Sequence, residues 1–286
     1  MASNSIRDNM SKEDIISNIR LTLSNDFEKK KLIIVVEGID DILFFNGKVS
    51  NNVEIIESYS GKTGVIEIIS EFDDIRVIGV RDRDYDLLIE NTKIFYYDYS
   101  CLEIMLIMND ITWNTACNEF YTGNLNENSL REKIFADLKW LTLFRKLDCN
   151  NNWGVRFKGY SITNAYNISE NRFDNNLGFT ALLNVNRDKQ EEDLIQYNID
   201  VNGQFAYINS DELPNLTQGH DYINYFKCVC DNGRGINCDE ICRVLRAAYR
   251  VDDFKHSNLY QDLYEYSQQK NILIINSQIS CLSQNC

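Results

Sequence analysis

Leu32-Ile33-Ile34-Val35-Val36 leads into Glu37-Gly38-Ile39-Asp40-Asp41, and Ile75-Arg76-Val77-Ile78-Gly79-Val80 leads into Arg81-Asp82-Arg83-Asp84-Tyr85-Asp86. Both apolar runs have the length, the β-branched content and the two-sided hydrophobicity of buried parallel strands. The carboxylates therefore fall at strand C-terminal ends, the edge where open α/β sheets keep their ligand sites. With the two strands as neighbours, Glu37 converges with Asp82 and Asp84, whose i, i+2 spacing aims both side chains to one side of an extended segment. A set of hard oxygen ligands of this kind suits Mg²⁺ or Mn²⁺. Asp41 and Asp86 read as further metal ligands or outer-shell carboxylates. The competing reading of those two, and of Asp40, is helix caps and solvated loops.

Working outward, Ser11-Lys12-Glu13-Asp14 opens a capped amphipathic helix that ends near Ser24. Further strands are expected over 53–57 and 93–96, with helices through Phe45, across 65–69 and over 102–108. The order strand, helix, strand, helix, strand implies right-handed crossovers and an α/β fold, a mostly parallel sheet flanked by helices. From Asn109 the texture changes to longer amphipathic stretches, such as 131–147 and 191–197, followed by 220–226, 239–250 and 258–269. The expected division is an N-terminal helix in 1–29, the α/β domain in 30–110 and a mainly helical region in 111–286. Ile272–Ile275 is a late strand candidate with no partner assigned.

The chain has 286 residues, 44% hydrophobic and 12% aromatic, enough to bury the core of one large or two modest domains. A single proline, Pro214, and thirteen glycines argue against long linkers. Residues Met1 to Asp8 carry no apolar core and no later run approaches a membrane span, so the expectation is cytoplasmic, with no membrane contact. Nine cysteines without an export signal fit a reducing compartment. Four of them, Cys228, Cys230, Cys238 and Cys242, invite a zinc site. Their C-x-C-x7-C-x3-C spacing is not that of paired knuckles, and buried core thiols are the alternative.

A formal charge of −14 excludes a protein that coats nucleic acid electrostatically, but not a nuclease whose negative charge is partly offset by bound metal. Arg131, Lys133, Lys139, Arg145 and Lys146, and then Arg243, Arg246 and Arg250, are either a guide for a phosphate backbone or solvated helix faces. Lys62, at the mouth of the same strand edge, is a candidate contact to a substrate phosphate, as is Arg83. A Walker A reading of Gly61-Lys62-Thr63 fails, because it needs glycine where the chain has Ile56. His220 is a candidate for proton transfer or phosphate binding, against a plain helix-start role. Tyr85 raises covalent topoisomerase chemistry, but 286 acidic residues leave little room for gate and strand-holding domains.

A strand ending in Glu-Gly and, about forty residues later, a strand ending in Asp-x-Asp inside a βαβαβ frame resembles the TOPRIM domain of topoisomerases, primases and OLD-type nucleases. Glu37, Gly38 and Asp41 match the E-G-x-x-[DE] form of the OLD-like branch, and Asp82-Arg83-Asp84-Tyr85-Asp86 matches the second motif. More narrowly, the chain is similar to a stand-alone TOPRIM-like family that includes AriB, the nuclease effector of the PARIS anti-phage defence system. Ser60-Gly61-Lys62, Tyr99-Ser100-Cys101-Leu102-Glu103 and Gly219-His220-Asp221 support that branch. Cys101-Leu102-Glu103-Ile104 departs from its more regular Ser-Ile-Glu-Asn pattern. The resemblance covers roughly 30–110 well and the rest thinly. It implies a metal-dependent endonuclease with RNA, most of all tRNA, as substrate, an ABC-type ATPase partner that restrains it, and a homodimer when active. Glu37 would be bridging ligand or general base, with Asp82 and Asp84 as metal ligands. The rival reading is a non-catalytic scaffold that keeps the fold as an interaction module, and the complete Glu, Asp, Asp set counts against it.

Overall fold

The computed structural model describes residues 10–85, 91–230 and 235–275. The fold is mixed α/β, a four-stranded all-parallel sheet flanked by helices and then a mainly helical region. In chain order, α1 (Lys12–Ser24), β1 (Leu32–Val36), α2 (Ile39–Phe45), β2 (Val53–Glu57), α3 (Gly61–Ser70), β3 (Val77–Arg81) and β4 (Ile94–Tyr96) come first. There follow α4 (Leu102–Met108), α5 (Asp110–Phe120), α6 (Glu127–Asn151), a two-stranded hairpin of β5 (Tyr166–Asn167) and β6 (Arg172–Phe173), and α7 (Asn175–Val185). The chain continues through α8 (Glu191–Gln204), α9 (Gly219–Cys230), α10 (Cys238–Ala248), α11 (Val251–Phe254) and α12 (Asn258–Lys270).

Two compact units result. Of the described residues, the first holds 10–83, 91–98 and 250–275, and the second holds 84–85, 99–230 and 235–249. In the first, the strands run in the order β2-β1-β3-β4. Ile34 lies opposite Ile55 on one side and Ile78 on the other. Every residue of β1 and β3 is buried, which is why both read as unbroken apolar runs. A Cβ on Gly79 would approach Val65 Cγ1 to 2.7 Å, so the glycine of β3 lies where α3 packs most closely on the sheet. The Ser11–Asp14 capping box starts α1, whose Ile15, Ile16 and Ile19 join Val65, Ile68 and Ile69 of α3 in one apolar cluster. The chain passes from β1 to β2 on one side of β1 and returns to β3 on the other. Strand order thus reverses between β1 and β3.

The boundary expected at residue 110, with everything beyond it in one region, does not match this division. The first unit ends its central stretch at 98, and 250–275 return to it. The Tyr266 hydroxyl donates to the Ile75 carbonyl at 2.7 Å, and its ring meets Phe95 edge-on at 5.4 Å. Asp98 accepts from the N–H groups of Asn258 and Leu259, both at 2.9 Å. The late strand candidate finds its partner as an antiparallel bridge between Ile275 and Val49, with Ser50 N–H donating to the Ile274 carbonyl at 2.8 Å. The amphipathic pattern of α12 says that one face is covered, but not by which element.

In the second unit, α5, α6 and α9 enclose a core around Trp113, Phe135 and Tyr222, and Trp140 of α6 packs against Phe173 of β6. Trp113 donates to the Glu127 carbonyl at 2.7 Å and Trp140 to Asn198 Oδ1 at 2.9 Å, so both indole N–H groups are satisfied. Among the described residues, no helix is long and apolar enough to cross a membrane.

Within the first unit, the Lys48 ammonium is buried and donates to the Phe44 carbonyl at 2.9 Å, 4.7 Å from the Phe44 ring centre. Burial lowers its pKa from 10.5 to about 8, with Asp253 opposing the shift. Below about pH 8 the folded protein carries the full cost of the buried charge. Between about 8 and 10.5 the unfolded chain binds more protons than the folded one, so this group's contribution to stability rises with pH. Lys48→Met is expected to melt higher than its parent at pH 7, and calorimetry at pH 10 is expected to show that advantage shrinking.

Candidate functional site

The switch between β1 and β3 brings together the two carboxylates that end these strands. Glu37 follows β1, Asp82 follows β3, and Asp82 N–H donates to Glu37 Oε1 at 2.9 Å. Crevices at such reversals are where open α/β sheets bind ligands. Each carboxylate oxygen has two lone pairs, and the bond from Asp82 N–H occupies one of those on Oε1. On the other side of Glu37, Gly61 takes φ +47°, a left-handed conformation natural to glycine. That turn starts α3 beside Glu37, where a Cβ on Gly61 would sit 3.7 Å from Oε2. Ser58 fixes the turn by donating to the Gly61 carbonyl at 2.7 Å. Lys62 lies half-buried in the first turn of α3. A helix N-terminus with a lysine on it favours an anion.

Asp41 stands differently from Glu37 and Asp82. Its Oδ2 accepts from Gly38 N–H at 2.8 Å, capping α2, and its Oδ1 accepts from the Tyr97 hydroxyl at 2.6 Å. Burial, then Asp41, Asp82 and Glu37, push the Tyr97 phenol well above its ordinary value, so it stays protonated and donates. Both oxygens of Asp41 are thus held by the protein. Within the first unit, no three ligand atoms of described Asp, Glu, His or Cys side chains lie within 4.8 Å of one another. The guanidinium of Arg81 is fully buried and donates from Nε to the Asp82 carbonyl at 3.0 Å, which orders the backbone at the strand end. Arg83 is half-buried, with a buried Nε that has no hydrogen-bond partner among the described residues. Asp86 lies outside the described residues.

Asp84, Glu103 and His220 belong to the second unit. Asp84 takes φ +47°, and its N–H donates to the Ser100 carbonyl at 3.0 Å. Ser100 is itself pinned by its hydroxyl on the Thr217 carbonyl at 2.5 Å. Gly219 opens α9 against the start of α4, where a Cβ would lie 2.6 Å from Glu103 Cβ and 2.7 Å from Cys101 Sγ. The Tyr-Ser-Cys-Leu-Glu and Gly-His-Asp stretches are therefore neighbours in space. Gly219→Ala is expected to destabilise by about 1–3 kcal/mol through overpacking, read as a lowered denaturation midpoint with an unchanged denaturant slope.

Asp221 is buried and pairs with Arg145 in a bidentate fork, Nε to Oδ2 at 2.6 Å and Nη2 to Oδ1 at 2.9 Å. The Arg145 guanidinium lies 4.2 Å from the Phe157 ring centre. His220 is exposed, with Nε2 2.9 Å from Asn224 Nδ2. Of the motif, then, the aspartate and the glycine are structural. The Tyr85 hydroxyl is buried with no hydrogen-bond partner among the described residues, and burial raises its pKa well above the ordinary value. That is the reverse of an activated nucleophile.

Among the described residues, no three of the thiols of Cys228, Cys230, Cys238 and Cys242 lie within 4.8 Å of one another. Cys238 donates to Asn224 Oδ1 at 3.2 Å, and burial raises its pKa. It is a half-buried thiol held in its protonated form. The glycine contacts of Gly61 and Gly219 were not legible from spacing, because a close approach is set by the partner element. No family model matches this chain, and no curated protein matches it.

Proposed function

We propose that this protein is a metal-dependent nuclease of the TOPRIM-like kind, with its reaction centre at the C-terminal ends of β1 and β3. The observation that carries the reading is the Glu37–Asp82 bond at the strand-order reversal, with the start of α3 alongside. The donor set fits a small hard cation. Mg²⁺ is commonly held by one or two carboxylates, with waters and substrate phosphate completing its shell. Glu37 and Asp82 would hold it.

A divalent ion bound there supplies Lewis acidity toward a phosphoryl oxygen and lowers the pKa of water. Glu37 is placed to accept a proton as a general base, since its Oε1 is oriented by the Asp82 N–H. Tyr97 and Gly38 fix Asp41, which holds the entry to α2 beside the site. Lys62 and the first turn of α3 attract the substrate phosphate, and Arg83 adds a cation near the end of β3. The resemblance drawn from the motifs points to RNA, tRNA above all, as substrate in the cytoplasm. It also points to an ATPase partner that restrains the activity and to a homodimer as the active form.

One observation favours the non-catalytic rival, the commitment of both Asp41 oxygens to protein donors. Metal binding separates the two readings. A cation that binds only the folded state raises stability by about 2.7 kcal/mol at a hundredfold excess over Kd. The nuclease reading predicts an upward melting shift with Mg²⁺ or Mn²⁺ that Asp82→Asn removes. A scaffold with no metal affinity shows none in either protein.

A further inference from the structure

We propose that the cavity of the second unit between the loop at 121–125, the β5–β6 hairpin and the end of α9 binds a nucleoside monophosphate. Its volume is about 650 Å³, in the range of small-molecule sites. Two of its walls are tyrosine rings, Tyr121 and Tyr166. Each is tethered by its hydroxyl. Tyr121 accepts from Leu125 N–H at 3.3 Å, and Tyr166 donates to Asn171 Oδ1 at 2.5 Å. Gly123 leaves room for the Tyr121 phenol where no Cβ would fit, and the Tyr166 ring stands edge-on to Tyr225 at 5.7 Å. Rings held this way offer π faces for stacking a base at little further conformational cost.

The charge of the cavity points to the other half of the ligand. Glu170 is the one carboxylate among the described lining residues, and it is paired with Arg172. Lys133 is paired with Asp137. Lys227 makes no ion pair among the described residues and lines the same cavity. In a chain of net charge −14, a cavity with a surplus cation selects an anion by contrast with its surroundings. Ile168 is 84% exposed and Leu125 41% exposed, an apolar rim suited to a sugar or base edge. A planar aromatic body carrying one phosphate uses all of these features. A neutral aromatic leaves Lys227 unused, and inorganic phosphate leaves the rings unused. This assignment does not depend on the nuclease reading.

The test is calorimetric titration of the full chain in EDTA with AMP, CMP, GMP and UMP, and separately with adenosine and with inorganic phosphate. At least one monophosphate is expected to saturate with Kd below about 1 mM, with Lys227→Gln and Tyr166→Leu each weakening it about fivefold or more. Glu37→Gln, in the first unit, is expected to leave it unchanged. A reading that needs no variant is alkylation of Cys228, which lines the cavity, against the exposed Cys149 as reference. Saturating nucleotide slows reaction at Cys228 alone. The proposal is overturned if no monophosphate saturates, if adenosine or phosphate binds as tightly as the nucleotide, if Glu37→Gln abolishes binding, or if Cys228 reacts at the same rate with nucleotide present.

Discussion

Glu37→Gln is expected to lower metal-dependent phosphodiester cleavage by roughly 10²–10⁴-fold, the range for loss of a positioned general base, while leaving the fold intact. The substitution is nearly isosteric. Its amide oxygen still accepts from Asp82 N–H, the bond that joins the ends of β1 and β3. What is lost is the negative charge that, on the nuclease reading, would hold a cation or take a proton. Single-turnover cleavage and the metal-induced melting shift are to be read on the same samples. Both should fall together, with the metal-free melting temperature close to wild type. A variant that keeps its cleavage rate removes Glu37 from the mechanism.

Asp221→Ala is expected to cost about 3–5 kcal/mol, the penalty for stranding a buried charge whose partner has been removed. Arg145 keeps only 14% of its side chain exposed and Asp221 6%, so neither charge can escape to water without moving its helix. The shift should appear as a fall of roughly 2–4 °C in melting temperature per kcal/mol, as expected for a unit of this size. A double variant, Arg145→Met with Asp221→Leu, is expected to recover much of the loss, because well-packed apolar residues often replace a buried pair at little cost. A drop under about 1 kcal/mol in Asp221→Ala would instead class the pair with exposed salt bridges.

The sheet was legible because β1 and β3 are buried on both faces, and the sequence shows this as unbroken Leu-Ile-Ile-Val-Val and Val-Ile-Gly-Val runs. Placing Glu37 and Asp82 at the ends of those strands followed from the same pattern. The return of α11 and α12 to the first unit was not legible, since amphipathicity states that a face is covered without naming the cover. The β5–β6 hairpin, with two residues in each strand, is too short for alternation to register. Asp41 read as a metal ligand, an outer-shell carboxylate or a helix cap; the structure shows the cap on α2 and adds a bond from Tyr97, a residue 56 positions away. Long-range hydrogen bonds of this kind leave no periodic trace. The left-handed turn at Asp84 likewise breaks the extended geometry that would have aimed it alongside Asp82.

The most direct test of the central claim is cleavage of total tRNA, a structured RNA and plasmid DNA by wild type and Asp82→Ala. Each is run with Mg²⁺, with Mn²⁺ and with EDTA, and in parallel with any co-encoded ATPase. Cutting by wild type that disappears both in EDTA and in Asp82→Ala is the predicted result, with tRNA the substrate cut first. Equal cutting by Asp82→Ala, or no cutting by wild type under any condition, would contradict it.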